Sequence, residues 1–193
     1  MNMERVSTGI DGLDAVVEGG FPKGSLILLA GNPGTGKTVF SAQFLYRGAV
    51  DHGENGVYVS FAEDKKSFID YMRRFGMDFE RLEKEGKIRI LDMITVTEKT
   101  VSDVLNKIVE EVFSLKAKRL VIDSFSAMAQ AFKEKIEVRA ILHTILGKII
   151  RTAGCTTILV LEIPHGEERI GFGIEEFVAD GIIILKRGGE EIE

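Results

Sequence analysis

Apolar residues along the chain fall into six short runs that are rich in β-branched side chains. The runs are mostly continuous rather than alternating, which is typical of strands buried on both faces of a sheet. The six predicted strands are Leu26–Ala30, Val57–Phe61, Ile88–Leu91, Leu120–Ile122, Thr157–Leu161 and Ile182–Leu185.

Between these runs, apolar residues recur every three or four positions, which predicts amphipathic helices. One predicted helical face contains Val101, Val104, Leu105, Ile108, Val112 and Leu115. Another contains Ile136, Ala140, Ile141, Ile145 and Ile149. Buried strands separated by helices predict an α/β fold, with a mostly parallel central β-sheet and helices on both faces. Ligands of such sheets bind at the carboxyl ends of the strands.

The first predicted strand leads directly into a phosphate-binding sequence. Residues 31–38 match the pattern G-x-x-x-x-G-K-[ST], known as Walker A. Its glycines free consecutive backbone N–H groups to surround a β-phosphate where the next helix begins. Lys37 then bridges the β- and γ-phosphates, and Thr38 ligates Mg²⁺. The candidate nucleotide-binding residues are Gly31, Asn32, Pro33, Gly34, Thr35, Gly36, Lys37, Thr38 and Val39.

An acidic residue, Asp123, ends the fourth apolar run. An acid at the end of a strand is common, and alone it is an ordinary feature of α/β proteins. Together with a phosphate loop it predicts a second metal ligand, because a carboxylate at this edge can hold a water bound to Mg²⁺ opposite Thr38.

Two further acids, Glu63 and Asp64, follow the run Val57–Phe61 and reach the same edge of the sheet. ATP hydrolysis needs a group that orients or deprotonates the attacking water, and Glu63 is the candidate catalytic base beside Lys37. The alternative is that one of the two acids caps the helix that starts near Lys65. Asp64 fits the capping role better than Glu63.

Glu162 and His165 follow the fifth run, at the same edge. A polar group there can sense the γ-phosphate and transmit its presence to a neighbouring loop. The alternative for His165 is a solvent-exposed loop residue. We therefore treat both as candidate sensors.

Length, charge and composition indicate the number of domains and the compartment. The chain has 193 residues, of which 45% are hydrophobic, and we expect one domain over residues 1–193. The net charge of −5 excludes a global basic field that attracts nucleic acid. No apolar run approaches the ~20 residues of a membrane span, and the N-terminus has no signal-peptide pattern. With one cysteine, Cys155, these features predict a cytoplasmic protein without membrane contact.

These motifs together resemble the KaiC-like branch of the RecA superfamily, from about Arg5 to Lys186. The matching segments are Ser7–Asp14, Glu18–Gly24, the phosphate loop, Phe40–Tyr46, Val57–Glu63, Val121–Ser124 and Gly173–Asp180. The chain is identified as a single-domain, archaeal-type member. The resemblance implies a RecA-like P-loop NTPase core that binds ATP and Mg²⁺. It also implies a homo-oligomer, in the family often a hexameric ring with ATP between subunits.

Two departures from the family pattern bear on turnover and assembly. Family members usually carry two adjacent glutamates after the second strand, whereas here Ala62 precedes Glu63. This departure implies slow hydrolysis. Members also continue into a C-terminal hairpin with a Lys-x-Arg-Gly motif that reaches a neighbour's nucleotide, and this chain ends at Glu193 without it. That difference counts against ring assembly and stimulated turnover.

Three functions follow from these observations. The first is an ATP-binding, Mg²⁺-dependent ATPase that acts as a nucleotide-dependent regulatory or signalling protein toward an unknown protein partner. The second is a DNA recombination or repair accessory ATPase similar to RecA and RadA paralogues. The segment equivalent to a DNA-binding loop, residues 164–177, carries four glutamates and one arginine, which argues against nucleic acid. The third is an ATP-gated scaffold with little turnover.

Overall fold

The computed structural model describes residues 4–94, 101–131, 141, 143, 145–164 and 178–188. The predictions for His165, Ile136, Ala140 and most of residues 164–177 lie outside these ranges.

Six parallel strands form the central sheet in the order β5-β4-β6-β7-β3-β8. Their bounds are β3 Leu26–Gly31, β4 Gly56–Ser60, β5 Ile88–Asp92, β6 Arg119–Asp123, β7 Thr156–Glu162 and β8 Gly181–Leu185. Each of the six predicted runs is a strand, and no strand end is shifted by more than one residue. The predicted α/β fold class is therefore confirmed.

The described helices lie between these strands, apart from one that precedes the sheet. Their bounds are α1 Leu13–Val16, α2 Lys37–Asp51, α3 Lys65–Arg73, α4 Phe79–Lys84, α5 Val101–Ser114 and α6 Phe125–Ala131, together with a π-helical segment at Ile145–Thr152. The predicted apolar face of α5 is buried at Val104, Leu105, Ile108 and Val112. Within the described residues, no helix is both long enough and apolar enough to span a bilayer.

The sheet separates two hydrophobic clusters, as strands buried on both faces require. In β3, Leu26 and Leu28 face the cluster that contains α5 and α6, whereas Ile27 and Leu29 face the cluster built with α2, α3 and α4. Cys155 is fully buried in the first cluster, and desolvation raises the pKa of its thiol to about 12. This thiol is a structural core group rather than a reactive one.

A short antiparallel pair, β1 Arg5–Val6 and β2 Phe21–Pro22, precedes the sheet. The sequence pattern did not predict it, because two-residue strands have no measurable periodicity. Gly20 lies between these strands with φ 127°, and a Cβ there would be 2.1 Å from the carbonyl oxygen of Val6. Only glycine fits this close approach.

Candidate functional site

The phosphate-loop sequence connects the carboxyl end of β3 to α2. The strand ends at Gly31 and the helix begins at Lys37, with Gly36 as its N-cap residue. Gly34 and Gly36 have φ values of 79° and 90°, which residues with a Cβ rarely adopt. The glycine spacing of the motif therefore allows the tight turn from β3 into α2, and a loop of this kind before a helix is suited to an anion.

Gly31 is required for a different reason, the close approach of β8. A Cβ on Gly31 would lie 2.6 Å from the carbonyl oxygen of Leu185 and 2.7 Å from the hydroxyl of Thr35. Thr35 in turn donates to the Asn32 carbonyl at 2.9 Å. The first glycine of the motif thus allows the loop and the neighbouring strand to meet.

The Lys37 side chain bends back over the loop. Its Nζ donates to the carbonyl oxygens of Gly31 and Asn32, both at 2.9 Å, and the residue is 7% exposed. Desolvation lowers the pKa of Lys37, while the negative charges of Glu162 and Asp123 oppose that shift. The ammonium is therefore held at the loop by groups that a phosphate oxygen can replace.

Thr38 and Asp123 meet at the floor of the site. The Thr38 hydroxyl donates to Asp123 Oδ2 at 2.8 Å, which brings together the two predicted metal ligands. Asp123 is the last residue of β6 and is 6% exposed. Its carboxylate is thus fixed beside the first turn of α2.

A residue that the sequence did not single out, Tyr58, completes this contact. Its hydroxyl donates to the same Oδ2 of Asp123 at 2.6 Å, and the tyrosine is 0% exposed. Burial raises the pKa of Tyr58 well above its usual value, and the neighbouring Asp123 charge raises it further. The phenol is therefore a neutral hydrogen-bond donor.

Glu63 lies just after β4, one strand away from Asp123 within the sheet order. Its backbone is fixed by Ser60, whose hydroxyl donates to the Glu63 carbonyl at 2.6 Å and accepts from the Glu63 N–H at 3.1 Å. Desolvation raises the pKa of the Glu63 carboxyl, with further contributions from the charges of Asp123 and Asp64. A carboxylate of raised basicity therefore faces the same cleft as the phosphate loop.

Asp64 has a separate, structural role. It is the N-cap residue of α3, and its carboxylate accepts from the Ser67 backbone N–H at 3.0 Å and from the Ser67 hydroxyl at 2.6 Å. The hydrogen bond from the Ser67 side chain is the main cause that lowers the pKa of Asp64. Of the two adjacent acids, Asp64 is thus the helix cap, as the alternative reading favoured.

The loop is also tied to the end of β7. Asn32 Nδ2 donates to the Ile163 carbonyl oxygen at 2.8 Å. Glu162, the last residue of β7, is exposed and lines the cleft near Lys37. The candidate sensor Glu162 is therefore placed at the site, whereas His165 lies outside the described residues.

Arg187 follows β8 and reaches the same loop. Its Nη2 lies 3.5 Å from the Pro33 carbonyl oxygen, and a Cβ on Gly34 would be 2.9 Å from that nitrogen. The placement follows from the parallel pairing of β3 with β8, which brings the residues after both strands to one edge. Sequence position alone did not reveal this contact, because strand order is not encoded locally.

These groups surround one open cleft of about 350 Å³. Its lining residues are Pro33, Gly34, Gly36, Lys37, Thr38, Val39, Ala62, Glu63, Tyr71, Asp123 and Glu162. A wider groove of about 620 Å³ shares Ala62, Glu63 and Tyr71 with it.

The donor set at the floor suits Mg²⁺. One carboxylate and one hydroxyl, 2.8 Å apart, match the way in which this ion uses few protein ligands together with waters and substrate phosphates. Across the described parts of the chain, no group of three or more His, Cys, Asp or Glu residues is arranged to hold a metal ion. A site of the kind that binds zinc through several side chains is not found among them.

The chain is similar to a family model and to known proteins. A family model described as the KaiC ATPase matches residues 6–192. The UPF0273 protein MJ1359 of Methanocaldococcus jannaschii is 36% identical over 200 residues, which cover 95% of this chain and 80% of that protein. The circadian clock protein KaiC3 of Synechocystis is 35% identical over 193 residues, but these are only 38% of its length.

A solved structure shows the same fold. The KaiC-like protein PH0186 of Pyrococcus horikoshii superposes with a TM-score of 0.87 and 44% sequence identity, over 100% of this chain and 85% of that one. The RecA-like architecture and the resemblance drawn from the motifs are thus confirmed.

Proposed function

Because the chain belongs to the KaiC family of ATPases, we propose that it binds ATP and Mg²⁺ at residues 31–39 and hydrolyses the nucleotide slowly. The observation that carries this proposal is the 2.8 Å hydrogen bond from Thr38 to Asp123 at the floor of the cleft. It puts the two groups suited to a metal ion beside the loop suited to phosphates.

In this proposal, the loop and Lys37 bind the phosphates. Backbone N–H groups before α2 surround the β-phosphate, where the positive end of the helix adds to their attraction. The Lys37 ammonium exchanges the carbonyls of Gly31 and Asn32 for oxygens of the β- and γ-phosphates. This exchange replaces neutral acceptors with charged ones, which strengthens each hydrogen bond.

Thr38 and Asp123 would hold Mg²⁺, which when bound neutralises charge that develops on the phosphates. Glu63 would accept the proton of the attacking water, since its raised pKa makes its carboxylate a stronger base than an ordinary surface glutamate. Ala62 stands where many relatives are expected to carry a further glutamate, and the absence of that carboxylate is our reason for a slow rate.

We place the protein in the cytoplasm as a nucleotide-dependent regulatory or signalling protein. Proteins of the KaiC family bind ATP or ADP and often oligomerise. The open cleft, continuous with a wider groove, supports a homo-oligomer in which a neighbouring subunit closes over ATP.

The test compares ATP affinity and phosphate release in the wild type, Lys37→Ala and Glu63→Gln. Lys37→Ala should weaken ATP binding about 10- to 100-fold, because a charged hydrogen bond to phosphate is lost. Glu63→Gln should keep ATP affinity and lose about 10²-fold or more of turnover. The matched controls are Lys66→Ala and Glu18→Gln, exposed residues outside the cleft.

Unchanged ATP binding in Lys37→Ala would refute the phosphate-loop assignment. Equal phosphate release by the wild type and Glu63→Gln would remove Glu63 as the base. If the wild type and Glu63→Gln both bind ATP tightly and release almost no phosphate, the function is that of an ATP-gated scaffold rather than an ATPase.

A further inference from the structure

Tyr58 shares one carboxylate oxygen with Thr38. Both hydroxyls donate to Asp123 Oδ2, Thr38 at 2.8 Å and Tyr58 at 2.6 Å. Hydrogen bonds to an ionised carboxylate are short and about twice as strong as those between neutral groups. Asp123 is therefore held from two sides, by α2 and by β4.

The reach of the tyrosine suits this contact. Ser60 of β4 lies directly opposite Asp123 of β6, and Tyr58 lies two residues earlier on the same strand. Two residues of a strand rise by about 6.6 Å, which a phenol side chain can span and a serine or threonine cannot. A phenylalanine would keep the ring and lose the hydroxyl.

The ring itself is held rigidly. Tyr58 is fully buried and packs on Phe68, with ring centroids 4.3 Å apart. Phe68 belongs to α3, the helix that begins directly after Glu63 and its neighbour Asp64. A buried ring has few alternative rotamers, so its hydroxyl stays directed at Asp123.

Asp123 needs such a partner because the residue is only 6% exposed. A buried charge is costly unless hydrogen bonds replace its hydration. When the Tyr58 hydroxyl is removed, the carboxylate keeps the donor on α2 and loses the one from the sheet. Its orientation toward the metal position is then fixed from one side only.

We propose that Tyr58 is a positioning residue that orients Asp123 for Mg²⁺, and so sets the Mg²⁺ requirement of nucleotide binding. The inference rests on the proposed function, because the metal site in question is the one that function requires. Tyr58 acts through Asp123 and touches neither nucleotide nor metal.

The experiment measures ATP binding calorimetrically while Mg²⁺ is titrated, in the full chain. In Tyr58→Phe, the Mg²⁺ concentration that gives half of the maximal increase in ATP affinity should rise about tenfold or more. This is the usual result of losing a hydrogen-bond partner of a metal-ligating group. ATP affinity in EDTA should equal that of the wild type. Tyr46→Phe is the matched control, since Tyr46 packs on Phe79 in the same hydrophobic cluster, away from Asp123.

The possible outcomes distinguish a failure of the Tyr58 inference from a failure of the proposed function. A Tyr58→Phe protein with the wild-type Mg²⁺ midpoint overturns the inference alone. An equal loss of ATP affinity with and without Mg²⁺ also overturns it, because that result marks a purely structural role. ATP binding by the wild type that does not depend on Mg²⁺ contradicts the proposed function itself, and the inference with it.

A second measurement needs no substitution at Tyr58. The chain has three tyrosines, so a 3-fluorotyrosine-labelled protein gives three ¹⁹F resonances, which Tyr46→Phe and Tyr71→Phe assign by elimination. When Mg²⁺ is added to the ATP complex, the Tyr58 resonance should move and the Tyr46 resonance should not. A Tyr58 resonance that stays in place overturns the inference.

Discussion

Glu63 and Asp64 are neighbours in the chain, yet their surroundings differ. Asp64 accepts two hydrogen bonds from Ser67, which lower its pKa. Glu63 loses hydration at the cleft and faces the charges of Asp123 and Asp64, so its pKa is raised above its ordinary value. Two carboxylates at one edge of the sheet are thus separated into a structural cap and a candidate base.

The raised pKa of Glu63 predicts an acidic limb in the pH profile of phosphate release. The base must be ionised, so turnover should fall as pH decreases through a pKa higher than that of an ordinary glutamate. In Asp64→Asn this limb should move to lower pH, because one negative charge near Glu63 is removed while asparagine still caps α3. Phosphate release measured across pH checks both statements.

An acidic limb at the same pH in Asp64→Asn and the wild type would contradict a contribution of the Asp64 charge to the raised pKa of Glu63. A residual limb in Glu63→Gln would assign it to another group.

At the scale of elements, a buried guanidinium fastens α2 to β6. Arg119 is 1% exposed, and its Nε donates to Glu54 at 2.6 Å while its Nη1 donates to the Phe44 carbonyl at 2.7 Å. The guanidinium also lies 4.5 Å from the centroid of the Phe44 ring. Gly48 makes room for it, since a Cβ there would be 2.3 Å from Nε. The helix that starts at the phosphate loop is thereby fixed on the strand that ends at Asp123.

Removal of the partner carboxylate should destabilise this joint. We expect Glu54→Ala to lower the free energy of unfolding by about 1–3 kcal/mol, because a buried charge keeps only its remaining hydrogen bonds. Glu18→Ala, which removes an exposed ion pair with Arg5, should change it by less than about 1 kcal/mol. Urea denaturation of both variants checks the difference, and equal values would contradict the role of Glu54.

At the scale of the whole molecule, the cleft proposed for ATP is open and adjoins a groove with exposed apolar side chains. Tyr71 and Ile94 line the adjoining groove and are 41% and 52% exposed. Solvent-exposed apolar side chains beside a nucleotide cleft fit a contact with another subunit. We therefore expect the assembly to depend on the nucleotide.

Solution mass with and without Mg·ATP tests this expectation. The mass should increase to that of a homo-oligomer when Mg·ATP is present, and Lys37→Ala should not respond. A monomer under both conditions would contradict any mechanism that places ATP between subunits.

The charge of the whole chain gives a separate prediction about nucleic acid. With a net charge of −5, binding of single-stranded DNA should be absent even at low salt, where phosphate contacts are strongest. A titration at several salt concentrations checks this. Tight, salt-dependent binding would instead favour the recombination or repair accessory function.

The sequence by itself determined those features that local patterns encode. Continuous apolar runs such as Leu26–Ala30 can be buried only between two layers, which sets a parallel sheet covered on both faces. Gly34 and Gly36 fix the loop after β3, because they adopt positive φ values that residues with a Cβ rarely adopt. The spacing of apolar residues likewise located α5.

Only the tertiary structure decided which distant residues meet. Tyr58 reads as a core residue in an apolar strand, and its contact with Asp123, 65 residues away, exists because β4 and β6 are neighbours. Arg187 reaches the phosphate loop because β8 pairs with β3, and residues 145–152 form a π-helical segment where the periodicity predicted an ordinary helix. Strand order and side-chain packing are set by the free energy of the whole fold, so no short stretch of sequence contains them.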